Sequence, residues 1–133
     1  AAERMLDPAV DATGVAGMRT VAGRVASWSD EKLVRFAATG EFIIERGGNG
    51  GGFFRRMYAS FLHQFADGIA PAGVELADAF ETIAARWTAL ANLLGETARA
   101  PSPSARAPEI AQAFQALADL EERAWSRAWD AAS

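Results

Sequence analysis

Cysteine is missing from all 133 residues of this sequence, which excludes disulfides, cysteine-ligated zinc, iron–sulfur centres and a thiol nucleophile within the chain. That lack is compatible with a reducing compartment, and a cytoplasmic location is the expectation. No stretch approaches the roughly 18 apolar residues of a membrane-spanning helix. The opening AAERMLDPAV also lacks the basic and long apolar segments of a signal peptide. Neither a membrane nor a nucleic acid is an expected partner, since 17 acids outnumber 13 bases for a net charge of −4. Lysine is nearly absent: Lys32 is the single one, and with abundant alanine this marks a GC-rich genome such as an actinomycete's. Proline is scarce, and three of the five fall within residues 100 to 108.

A chain of this length suits one domain able to bury about two thirds of its unfolded surface. Apolar residues at Val15, Met18, Val21, Val25 and Trp28 recur every three or four positions, which predicts a first helix over about 12 to 28. Ser29 is placed to cap a second helix, with Asp30 and Glu31 in its first turn where the helix dipole favours acids. Leu33, Val34, Phe36, Ala37, Phe42, Ile43 and Ile44 carry that helix to Arg46, with a joint expected at Thr39 and Gly40. Gly47 to Gly52, GGNGGG, cannot be helix interior, because each glycine there costs about 1 kcal/mol relative to alanine, and they predict a loop.

The third helix follows, with Phe54, Met57, Tyr58, Phe61, Leu62 and Phe65 as its apolar face. Leu76, Phe80, Ile83, Trp87, Leu90 and Leu94 form a heptad-like seam on a fourth helix. APSPSARAP, 100–108, reads as a Pro/Ser-rich linker that stops helix four and starts helix five, whose face carries Ile110, Phe114, Leu117, Leu120, Ala124 and Ala128. No strand is predicted. The expected architecture is all-α, an irregular bundle of about five helices forming a single domain over 1–133, with a Gly-rich loop before helix three. Because the chain opens on Ala1 instead of methionine, the expectation is that it is a trimmed, processed or excised piece of something longer, which the resemblance described below makes the C-terminal part.

The sharpest chemical feature is the glycine loop and the helix after it. A loop of this kind exposes backbone N–H groups and admits close approach by a phosphate or carboxylate. Arg46, Gly47, Gly48, Asn49, Gly50, Gly51, Gly52, Phe53, Arg55, Arg56 and Tyr58 make up the candidate ligand or interface set. Arg55 and Arg56 oppose the local helix dipole unless an anion or an acidic side chain answers them. No Lys-Ser/Thr follows the glycines and no strand precedes them, so neither nucleotide-binding fingerprint is present. On residue physics alone, a tight crossing of backbones is the favoured use of such glycines over ligand binding.

Other candidates are weaker. His63, the lone histidine, has no clearly matched acid at ligand spacing, and no metal or cofactor is expected. Glu75, Asp78 and Glu81 read as a solvated face. None of the serines sits in a Gly-x-Ser-x-Gly elbow, and Ser60 with His63 is the last-ranked catalytic pair. Trp125 and Trp129, one turn apart and with Glu121 one turn before Trp125, could offer an exposed strip, although core packing is favoured for tryptophans at that spacing.

The stretch from Ile44 to Leu62, IERGGNGGGFFRRMYASFL, resembles the C-terminal domain of the butirosin biosynthesis protein H-like family, whose pattern is I-E-x-x-G-T-G-G-G-x-F-R-x-x-Y-x-x-F-L. Gly14 to Arg19, Trp28 and Ile83 to Trp87 fit the same outline, so the resemblance spans roughly residues 12 to 95. The cluster here departs from the family's shorter GTGGG by an extra residue or a shifted register. The resemblance implies an accessory helical domain of an acyltransferase that moves an acyl group from a carrier-protein thioester to an amine. Its catalytic cysteine belongs to an N-terminal domain, and the implied partners are that domain and an acyl carrier protein. The alternative is a stand-alone interaction or dimerisation module, a homo-oligomer included, working through Trp125, Trp129 and the seam of helix four.

Overall fold

The computed structural model describes residues 14–45, 51–64 and 72–132. Five α-helices and no strand occur among them: α1 (Gly14–Arg24), α2 (Asp30–Glu45), α3 (Gly51–Gln64), α4 (Ala72–Arg99) and α5 (Ala107–Ala132). Short 3-10 turns cover Val25–Ser27 and Pro103–Arg106. The fold is the all-α bundle that the 3.6-residue periodicity predicts.

Helix starts follow the local chemistry. The Ser29 hydroxyl accepts the Lys32 N–H at 3.2 Å, and the Ser29 carbonyl accepts the Leu33 N–H at 2.9 Å, so Ser29 caps α2 as expected. Asp30 in the first turn also accepts hydrogen bonds from the Ser104 backbone N–H, at 3.0 Å, and from the Ser104 hydroxyl. The 100–108 connection is thereby tied to the start of α2. Within it Pro103 and Ala107 are buried, and α5 begins at Ala107 with Pro108 in its first turn, where a missing N–H costs nothing.

Helix α4 is the centre of the bundle, in contact with α2, α3 and α5, and α1 lies on α5. Every residue of the α4 seam, from Leu76 through Phe80, Ile83, Trp87 and Leu90 to Leu94, is buried. The seam is therefore used inside this chain and is not a dimerisation surface. Helices α4 and α5 run antiparallel, since Glu75 pairs with Arg127, Trp87 with Glu121 and Glu96 with Arg106. Helix α3 is antiparallel to α4 on another side, with Arg56 on Thr88 at one level and His63 on Glu81 at another. Arg19 holds α1 to α5 through Asp119, at 2.8 Å, and Glu122, at 2.5 Å.

Two expectations are corrected. No joint interrupts α2 at Thr39 and Gly40; the helix is continuous from Asp30 to Glu45. Gly40 is there because α4 passes close: a Cβ on it would stand 2.9 Å from Cδ1 of Leu94. Gly95 is the reciprocal position, where a Cβ would meet the Glu41 carboxyl carbon at 2.7 Å. The second correction concerns α3, whose buried side carries Arg55, Ala59 and Leu62, while Met57 is 56% and Phe61 50% exposed. The packed face is rotated from the one that the large apolar residues mark.

The two crossing glycines respond differently to a methyl group. Leu94 is fully buried and cannot swing aside, so Gly40→Ala should destabilise by about 1 to 2 kcal/mol, the overpacking penalty less the gain in helix propensity. The Glu41 side chain is only partly buried and can move, so Gly95→Ala should be neutral or stabilise by up to about 1 kcal/mol. Urea unfolding of the two variants checks this order, and equal effects would contradict it.

Candidate functional site

Helix α3 starts at Gly51, so Gly51, Gly52 and Phe53 form its first turn and are not loop. The first N–H groups of a helix have no intrahelical acceptor, which makes glycine less costly there than in the interior. Arg46, Gly47, Gly48, Asn49 and Gly50 lie outside the described residues. The glycine segment therefore runs directly into a helix N-terminus.

One turn further on, Arg55 turns inward. It is 7% exposed, and its Nε donates to Oε1 of Glu121, itself 0% exposed, at 2.7 Å. The same Oε1 accepts the Trp87 indole N–H at 2.8 Å, and Oε2 accepts that of Trp125 at 2.5 Å. The Arg55 guanidinium also lies 5.5 Å from the centre of the Trp87 ring, in cation–π range. Burying a carboxylate costs several kcal/mol unless charge and hydrogen bonds answer it, and here one cation and three N–H donors do. No buried side-chain nitrogen or oxygen among the described residues lacks a partner.

Arg55 therefore leaves the candidate ligand set. The acid that answers it is part of the chain. Arg56 remains at the surface, donating to the Thr88 hydroxyl at 3.0 Å and lining a shallow groove with Ser60, Glu81, Ala84 and Ala85. Tyr58 is half-buried in an aromatic cluster, 4.8 Å from Phe80 and 5.2 Å from Trp125 between ring centres. The two helix-five tryptophans part company: Trp125 is 1% exposed and Trp129 is 50% exposed.

Sequence spacing also missed the surroundings of His63. Its Nε2 lies 3.0 Å from Oε1 of Glu81 and 3.8 Å from Oδ1 of Asp78, both on α4. The matched acids are there, across a helix pair and not along one helix. Because Nε2 faces these carboxylates, and no hydrogen bond joins Ser60 to His63 among the described residues, the pair is not an assembled nucleophile and base.

Residues 1–128 match the family described as Domain of unknown function (DUF4872). The chain belongs to that family. No curated protein and no solved structure matches it. For this member of the DUF4872 family, the described helices are each too short or too polar to cross a membrane.

Two measurements follow from the buried cluster. Arg55→Ala leaves the Glu121 charge buried and should cost about 3 to 5 kcal/mol of stability, whereas Arg56→Ala should stay within about 0.5 kcal/mol. Chemical denaturation separates them, and a mild Arg55→Ala would refute the pairing. Burial raises the Tyr58 pKa above its usual 10.0. The unfolded phenol loses its proton first, so this group's contribution to stability declines as pH rises from about 10 through the folded pKa. Tyr58 is the only tyrosine. Its phenolate absorbance should appear above pH 10.0 in the folded protein and shift down on unfolding.

Proposed function

We propose that this chain is the helical accessory domain of a butirosin-H-like acyltransferase, with the glycine segment and the outer surface of α3 facing the catalytic domain or its substrate. The observation that carries the reading is that the glycine segment leads straight into α3, and that Arg55 locks this helix to Glu121 on α5. A helix held in this way can offer its N-terminal N–H groups to a carboxylate or phosphate without a large ordering cost. In the reaction, a cysteine thiolate outside these 133 residues attacks the carrier-protein thioester and expels the carrier thiol. The acceptor amine then attacks the acyl-enzyme, loses a proton and releases the cysteine. This chain has no cysteine, so its part is to shape the pocket or meet the anionic arm of the carrier. Arg56, at the surface close to the start of α3, is the cation suited to that contact.

A second reading has its own support. Phe42, Ile43, Met57, Phe61 and Trp129 are all substantially exposed, which favours an interaction module using those side chains and not the buried seam or Trp125.

Intact mass of the native-source protein, before and after incubation with acylated carrier proteins, tests the choice. The accessory-domain reading expects a product well above 14.1 kDa that gains an acyl adduct on a cysteine outside this chain. A product of 14.1 kDa with no adduct overturns it and leaves the interaction module.

A further inference from the structure

The surface cluster of His63, Asp78 and Glu81 involves the opposite end of α3 from Gly51, and the acyl-transfer reading gives none of the three side chains a chemical role. His63 is in the last turn of α3, and Asp78 and Glu81 are one turn apart on α4, so two packed helices set the spacing of the three side chains. One ligand atom from each can be chosen so that all three lie within 4.8 Å of one another. The Nε2 of His63 is 3.0 Å from Glu81 and 3.8 Å from Asp78. A tetrahedral metal with bonds of about 2.0 to 2.2 Å holds its donor atoms about 3.3 Å apart, a value that these two distances bracket.

We propose that His63, Asp78 and Glu81 form a binding site for one divalent transition-metal cation of the zinc type. The donor set selects the class of ion. An imidazole nitrogen suits zinc, cobalt or nickel, whereas calcium and magnesium prefer oxygen donors throughout. Two carboxylates cancel the charge of a divalent ion, and neutral His63 adds the nitrogen. Three protein donors leave the remaining coordination to water, the arrangement of an open site. Glu81 also lines the groove that holds Arg56 and Ser60, so a bound ion would stand at the edge of a concave surface of about 400 Å³. All three side chains are exposed.

Cobalt(II) titration of the tag-free chain, followed by its visible absorption and by displacement with zinc, tests the site. One saturable equivalent is expected, displaced by zinc and not by magnesium or calcium. His63→Ala, Asp78→Asn and Glu81→Gln should each weaken it by about tenfold or more, since even outer-shell changes cost that much. Glu75→Gln, an exposed acid of α4 paired with Arg127, should leave it unchanged. Circular dichroism of the variants establishes that they fold. Absence of a saturable first equivalent, or binding that survives His63→Ala, overturns the proposal.

Discussion

The buried carboxylate of Glu121 is the constraint on which the arrangement of three helices rests. Its two oxygens gather Arg55 from α3, Trp87 from α4 and Trp125 from its own helix. Leucine-type seams tolerate sliding, because one apolar contact replaces another at little cost. A buried carboxylate does not, since a one-turn shift of α3 would take Arg55 away from the Glu121 charge and a one-turn shift of α4 would orphan the Trp87 indole N–H. Apolar burial along the α4 seam supplies the driving force for the bundle. Glu121 selects one register out of those the seam permits.

The bundle was legible because its signals are local. Periodicity of three and four residues, the Ser29 cap and the proline-rich 100–108 segment each depend on neighbours in sequence, and the observed elements follow them. The Glu121 cluster is another matter. Arg55 and Glu121 are 66 residues apart, and no spacing rule connects them. One signal was present: Glu121 continues the Phe114, Leu117, Ala124 series on the buried face of α5, a place where an acid must find a partner. On α3 the packed series is Arg55, Ala59 and Leu62, so the expected apolar face is met at Leu62 and in part at Tyr58 but rotated away from Met57 and Phe61. An arginine with a buried acid to meet outweighed Met57 and Phe61.

Glycine shows how one residue type reads differently by context. Gly40 looked like a break because glycine weakens a helix, but α2 is longer than that penalty can interrupt and α4 contacts it closely at this position. The compensation is tertiary: Leu94 fills the space that a side chain would take. Gly51 and Gly52 occupy a helix start, where backbone N–H groups have nothing to lose. His63 is the converse case. Its acids were in view in the sequence as a three-residue repeat on α4, and only the antiparallel packing of α3 on α4 brings them to it.

This division of labour bears on where a partner would bind. Arg55 belongs to the interior, so the positive charge that the sequence places at the start of α3 is split, one half spent on Glu121 and the other held at the surface by Arg56. The anchored arginine fixes the helix from within, and a helix fixed from within keeps its N-terminal groups aimed without help from a ligand. A contact surface along α3 is accordingly a matter of backbone N–H groups at its start, Arg56 and the exposed Met57 in its second turn, and the exposed Phe61 one turn beyond Met57. An anionic group flanked by apolar atoms matches that combination better than a bare ion does, because the cation and the apolar side chains lie on one short helix and can be covered together.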